Sequence, residues 1–282
     1  MEDKRKIISE GDVVKFTKHP NTITSLKRDF KTLGVEKGSV IIMHSSLSKI
    51  GWTIGGPVSV VKALTQVLTP EGTLVMPTFT SGNSEPSQWE NPPVPKSWWG
   101  IIRKEMPAFE AKITPTRAMG RIVETFRNWP KGFRSNHPNV SFTAWGKQAK
   151  FITENHELEA ELGENSPTSR LYDLNGQILL VGVNHENNSS LHLAEYRSGF
   201  PGKKYIRNGC AMMVNNQRQW VEWEGLDYDS DDFELLGKNY ESKINFKPGK
   251  IGLAEARLIS LRDIVDFGVD WLTEKRIKKI LR

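Results

Sequence analysis

SVIIMHSSLSKIGWTIGGPVSVVKALTQVLTPEGTLVMPTF, residues 39–79, decides the fold. It opens with SVIIM (39–43), a continuous apolar run bounded by polar residues, the pattern of a buried strand. The polar loop HSSLSKIGWTIGG follows. Pro57 then starts a helix, PVSVVKALTQVL, at the position proline favours. GTLVMPTF (72–79) is the next strand. Strand, loop, helix and strand make one βαβ unit with parallel strands.

The rest of the chain extends this unit. Upstream, Asn21 is placed to cap a helix through TSLKRDFKTL that stops at Gly34. Downstream, TSGNSEPSQWENPPVPKS (80–97) is rich in Pro, Ser and Asn, and a loop of that length is functional or mobile. The pattern predicts short helices near 98–106 and 117–128, and a turn into a strand over 134–146. It also predicts a proline-started helix over 166–174 and a buried strand at QILLVGV (177–183). From residue 203 a hairpin turns at Asn215–Asn216. An acidic segment, LDYDSDDFELLG (226–237), comes next, and Ser260 caps a last long helix. There is no repeat, low-complexity tract or linker. The expectation is one α/β domain over residues 1–282. Its central sheet is mixed and largely parallel, flanked by helices, with a C-terminal hairpin and a long terminal helix.

Composition sets the outer limits. The chain has 282 residues, 37% hydrophobic and 26% charged, enough for a packed core. No apolar run approaches the roughly 20 residues of a membrane span. The stretch MEDKRKIISEGD lacks the apolar middle of a secretion signal, and the lone Cys210 leaves no internal disulfide. These features point to a cytoplasmic protein without a membrane partner. The net charge is +6, but apart from the tail EKRIKKILR (274–282), the end of an amphipathic helix, the basic residues are scattered. No basic stripe interleaved with aromatics is present, which argues against a nucleic-acid partner. A mild positive field suits an anionic cofactor, and equally a protein without one.

ENNSSLHLAE (186–195) follows the buried strand at 177–183. With Ser189 as N-cap, His192 falls at the third helical position, and Glu195 shares its face three residues on. The positive end of a helix favours the neutral imidazole that a general base needs, while a nearby carboxylate orients the ring. A capping histidine with a solvent-exposed glutamate fits the same pattern. HSSLSKIG (44–51) also leaves a buried strand. Its N–H groups and hydroxyls are suited to phosphate oxygens, with the next helix N-terminus behind them. It is neither a P-loop nor GxGxxG, and an ordinary serine-rich loop has the same appearance. His137, before Pro138, either contacts a ligand or closes a turn. His156 and Glu157 do not complete HExxH, and His185 has no third ligand nearby, so no metal is expected. No GxSxG elbow surrounds any serine. Cys210, in an apolar hairpin, reads as an inert core residue. Asp227, Asp229, Asp231 and Asp232 make a solvated turn, or a binding surface for a polycation.

Six pieces in order carry a resemblance: HSSLSKIG followed by GGP, EGTLVMPTFT (71–80), RSNHPNVSFTAWG (134–146), SPTSRLYDL (166–174), ILLVGV with NNSSLHLAE (178–195), and DYDSDDFELLG (227–237). Spanning roughly residues 20–275, they resemble the aminoglycoside 3-N-acetyltransferases that lie outside the GNAT superfamily. The resemblance implies transfer of an acetyl group from acetyl-CoA to an amine, with the HSSLS loop as the coenzyme A loop and His192 as the essential base. The family commonly has threonine where this chain has Ser189, and the hydroxyl is retained.

The expected site follows. His192 is the base, Glu195 orients it or binds the cationic acceptor, and Ser189 with neighbouring backbone N–H groups helps polarise the thioester carbonyl. His44, Ser45, Ser46, Leu47, Ser48 and Gly51, with Thr78 and Ser190, contact acetyl-CoA. His137, Asp227, Asp229, Asp231 and Asp232 contact a small, polycationic amine. The amine attacks directly, since the only thiol is poorly placed. An acetyltransferase for another amine, or a non-catalytic module that binds coenzyme A or a nucleotide, would carry the same motifs. Monomer and homodimer both remain open.

Overall fold

The computed structural model describes residues 9–280; the first eight residues and the end of the basic tail lie outside the described residues. Its main sheet has seven strands: β1 (Val40–Ser45), β2 (Thr73–Pro77), β3 (Phe133–Arg134), β4 (Phe142–Gly146), β5 (Gln177–Val181), β8 (Gly249–Ile251) and β9 (Ala254–Ser260). Their order is β3-β4-β2-β1-β5-β9-β8. β2, β1 and β5 run parallel, and antiparallel strands flank them on both sides. β6 (Tyr205–Val214) and β7 (Gln217–Leu226) form a separate two-stranded ribbon. That ribbon turns at Asn215 and Asn216, as expected, both with positive φ (50° and 60°), a conformation asparagine tolerates.

Eleven α-helices surround the strands among the described residues: α1 (Glu10–Phe16), α2 (Ile23–Leu33), α3 (Leu47–Ile50), α4 (Gly56–Leu68), α5 (Trp99–Glu105), α6 (Arg121–Arg127), α7 (Ala149–Thr153), α8 (Pro167–Asp173), α9 (Leu191–Arg197), α10 (Phe233–Lys243) and α11 (Leu261–Ile280). Strand alternation divides the core into two layers. Ile41, Met43, Leu179 and Val181 pack with α2, α4 and α6. Ile42, Ile178 and Leu180 pack with α9, α10 and α11.

Local capping differs in detail from the sequence pattern. Thr22, not Asn21, caps α2 through a reciprocal bond with Ser25. Asn21 instead spends its amide on the carbonyls of Ile50 and Trp52, holding the loop after β1. Pro57 is the second residue of α4, because Gly55 and Gly56 at φ 75° and 54° make the tight entry turn. The 80–97 loop is ordered in part by two short 3₁₀ turns and by a bidentate Arg103–Glu85 pair at 3.0 and 2.6 Å.

β1 is where the sheet changes direction of growth, with β2 on one side and β5 on the other. Ligands of open α/β sheets gather at such a switch point, beyond the carboxyl ends of the strands. The loops leaving β1 and β5 open there together, joined by the Ser46 N–H donating to the Val181 carbonyl at 2.9 Å.

Candidate active site

The loop after β5 leads into α9, which presents His192 and Glu195 on one face. Nδ1 of His192 lies 2.8 Å from Oε2 of Glu195. The imidazole is 13% exposed, and its Nε2 has no hydrogen-bond partner among the described residues. Glu195 is 1% exposed, and its other oxygen accepts from Arg276 Nη1 at 2.6 Å and from the Asp229 N–H at 3.1 Å. An ionised Glu195 therefore takes the Nδ1 proton as its donor and leaves a lone pair on Nε2. The rings of Tyr228 and Phe233 lie 4.6 and 4.8 Å from the imidazole and hold its plane.

Ser190, not Ser189, is the residue before α9, and its side chain makes no capping bond. His192 is thus the second helical residue. With only seven residues in α9, its dipole is a minor influence beside the Glu195 carboxylate. The hydroxyls of Ser189 and Ser190, the Nδ2 of Asn188 and the hydroxyl of Ser45 are buried without partners. Buried donors are almost always satisfied, which singles out the end of β1 and the turn before α9 as places where polar groups are left over.

A cavity of about 600 Å³ opens beside the loop after β1. It is lined by Ser45, Ser46, Leu47, Ser48 and Gly51, by the Gly55–Pro57 start of α4, and by residues 118–122. Ser46 and Ser48 hydroxyls are 3.2 Å apart. The thirteen-residue α4 points its free N–H groups toward this space, and Arg121 adds an exposed guanidinium. Arg121 was not visible as a site residue in the sequence, because it approaches from a segment 70 residues downstream of the loop.

Two residues expected at the coenzyme do not line this cavity. β1 extends to Ser45, so His44 and Ser45 face opposite layers. His44 is absent from the cavity lining and is buried, which lowers its pKa to about 4. Thr78 is sealed between strands, bonded to Ser141 and Thr143.

On the acceptor side, His137 is fully buried. Its Nδ1 accepts from the N–H groups of Asn139 and Val140, and its Nε2 meets the Leu158 carbonyl at 3.1 Å. It closes a turn, and neither ring nitrogen is left for a substrate. Burial lowers its pKa to about 4. Asp232 is committed to Arg276 at 2.8 and 3.0 Å, and an acceptor cannot use it without breaking that pair. Asp231 is exposed at the surface, its N–H spent on the Asp229 carboxylate. Asp227 and Asp229 line a second cavity, about 440 Å³, with Glu195, Tyr228, Lys203 and Arg276.

Behind Tyr228 lies Glu161, 2% exposed, which accepts from four neutral donors: Tyr228 at 2.7 Å, Asn208 at 2.7 Å, Trp223 at 2.9 Å and Tyr196 at 3.0 Å. Burial, then the Glu161 charge, raises both tyrosine pKa values, so the phenols remain donors. Cys210 is buried, and its thiol is pushed up to about 12. Among the described residues no group of three or more His, Cys, Asp or Glu is placed to hold a metal ion. No described helix is long and apolar enough to cross a membrane.

Residues 42–273 match the family model described as aminoglycoside 3-N-acetyltransferase. The SPbeta prophage-derived aminoglycoside N(3')-acetyltransferase-like protein YokD of Bacillus subtilis is 45% identical, over 95% of this chain and 98% of its own. The crystal structure of YokD superposes with a TM-score of 0.91, at 44% identity, covering 94% of this chain and 98% of that one. Aminoglycoside N(3)-acetyltransferase VII of Streptomyces paromomycinus is 32% identical over 95% of this chain and 97% of its own. The structure titled AAC-IIIb binary with CoASH gives a TM-score of 0.82 at 27% identity, over 91% of this chain and 98% of that one. With the family model covering the strand-loop-helix unit, the His192 helix and the acidic segment alike, the chain belongs to the aminoglycoside 3-N-acetyltransferase family of acyltransferases.

Proposed function

We propose that the protein transfers the acetyl group of acetyl-CoA to an amine of a polycationic, aminoglycoside-like acceptor, with His192 as general base. The observation that carries this is the His192–Glu195 pair, on the helix that follows the loop leaving β5, with an Nε2 that has no partner among the described residues. The residues present fit the coenzyme: an open cavity lined by the α4 N-terminus, Arg121 and the orphaned Ser45 hydroxyl. The relative solved with CoASH supports the same co-substrate.

Acetyl-CoA supplies an activated acyl group on a thiol leaving group. The α4 N-terminus, Ser46, Ser48 and Arg121 hold its phosphates. Ser189 and the adjacent Ser190 direct hydroxyls at the thioester oxygen as its charge grows. His192 Nε2 takes a proton from the acceptor nitrogen, which is protonated and unreactive at neutral pH. That proton passes to solvent and frees the amine to attack; as the N–C bond forms and the C–S bond breaks, Nε2 takes the nitrogen's second proton and delivers it to the departing sulfur. Glu195 keeps the ring in the tautomer that makes this possible. Attack is direct, because Cys210 is enclosed and held as a thiol. Asp227 and Asp229 attract the cationic acceptor.

The test is release of free thiol from acetyl-CoA over a panel of aminoglycosides and simple amines, with the product identified by mass. Thiol release only with a polyamine, and an acceptor heavier by one acetyl group, is the expected result. Binding of acetyl-CoA with no amine acetylated would replace an enzyme with a binding module. Acetylation confined to non-aminoglycoside amines would keep the chemistry and change the acceptor.

A further inference from the structure

Arg276 lies near the end of α11, beyond residue 273 where the family match stops. The residue is 6% exposed, and its guanidinium gathers three groups. Nη1 donates to Glu195 Oε1 at 2.6 Å, Nε and Nη2 donate to the Asp232 carboxylate at 3.0 and 2.8 Å, and Nη2 also donates to the Asp229 carbonyl at 2.6 Å. Burial works against the charge, but the bonds to Asp232 and Glu195 outweigh it, so the pKa is raised. Glu195 is therefore fully assigned: one oxygen to Arg276 and the Asp229 amide, the other to His192.

We propose that Arg276 is a positioning residue for the His192–Glu195 pair, supplying the cation that lets buried Glu195 stay ionised beside a neutral imidazole. This rests on His192 being the base. A buried carboxylate without a partner cation is costly, and the group bonded to the other oxygen of this one, His192, is able to become a cation. Protonated on both nitrogens, that ring has no lone pair to offer the acceptor. The other charges around the ring do not replace Arg276. Asp229 and Asp232, ahead of α10, are negative. Lys203, before β6, feels the Glu195 charge from the same cavity but gives its hydrogen bond to the Tyr196 carbonyl at 2.7 Å, so it acts on Glu195 only through space. Tyr228 stays neutral with its hydroxyl on Glu161, and Phe233 offers an apolar face.

The test compares R276Q and R276K with the wild type by two readouts. The first is kcat/KM against pH with acetyl-CoA and an aminoglycoside. The second is the ring nitrogen NMR shifts of His192 against pH, in the free protein. In R276Q the acid limb of the activity profile should move to higher pH by about one unit, since a compensating charge within reach of the pair is lost. At pH values on that limb, activity falls roughly tenfold beyond any pH-independent loss. The His192 ring should carry both protons up to a correspondingly higher pH. R276K keeps the charge and should keep the wild-type limb. An unmoved limb and unmoved ring titration in folded R276Q would overturn the proposal. Should R276Q fail to fold, D232N tests the same relation with the opposite sign: the limb should move to lower pH by a few tenths of a unit, and an unmoved limb overturns it. If the ring titration shifts as expected but the wild type acetylates no amine, the acetyl-transfer reading fails while the charge relation stands.

Discussion

His192 Nδ1 and Glu195 Oε2 are 2.8 Å apart on one turn of α9, while the far oxygen of the same carboxylate is 2.6 Å from Arg276 Nη1. Arginine, glutamate and histidine thus form a line that ends at a free Nε2. Every group in the line but that nitrogen is buried and paired, so its geometry is set before any substrate arrives.

Stability should fall in acid earlier than carboxylates alone would cause. Burial holds the pKa of His44 and of His137 at about 4, against 6.5 unfolded, and burial also lowers those of His156 and His185. Below pH 6.5 the unfolded chain binds protons that the folded one does not. The stabilising contribution is complete above that pH and is lost as pH falls to about 4. For His44 alone the loss is about 3 kcal/mol at 1.36 kcal/mol per unit. Thermal unfolding from pH 7 to 4 checks this: Tm should decline across the window, and His44→Gln should make the decline shallower.

Glu161→Ala should destabilise by roughly 4 kcal/mol, since four buried or part-buried donors lose their acceptor at about 1 kcal/mol each. Gly225→Ala should act similarly, because a Cβ there would overlap both Glu161 oxygens. Urea denaturation reads both; a wild-type midpoint for Glu161→Ala would show that the carboxylate anchors nothing.

The sequence showed what is local. Apolar runs, Pro57 and the glycines at 55–56 identify β1, α4 and β2, and the spacing of His192 and Glu195 places them on one face. The exact end of β1 was not legible, because SVIIM stops being apolar at His44. The strand continues to Ser45 and turns His44 into the opposite layer. Arg276 is 81 residues from Glu195, and the donors of Glu161 lie 35 to 67 residues away from it. No periodicity encodes such pairings; they exist only once α11 packs on α9 and the β6–β7 ribbon brings Asn208 and Trp223 to Glu161.

Arg121→Ala should weaken acetyl-CoA binding about threefold to tenfold, near 1 kcal/mol, because an exposed charge-phosphate contact is partly screened. Calorimetry at low and high salt should show a larger deficit at low salt. Unchanged affinity at both would remove Arg121 from the coenzyme site.

The KM for a polycationic acceptor should rise with ionic strength, as Asp227 and Asp229 are screened. Asp227→Asn should flatten that dependence, while Asp231→Asn, outside the cavity lining, should leave it intact. Equal salt slopes in all three proteins would show that the cavity does not receive the acceptor.

The most direct measurement pairs turnover with coenzyme affinity in His192→Ala. Loss of a general base should lower kcat by about 10²–10⁴-fold, while the Kd for acetyl-CoA stays within a few-fold of wild type, because the missing interaction belongs to the transition state. Near-wild-type turnover by His192→Ala on a good acceptor would contradict His192 as the base.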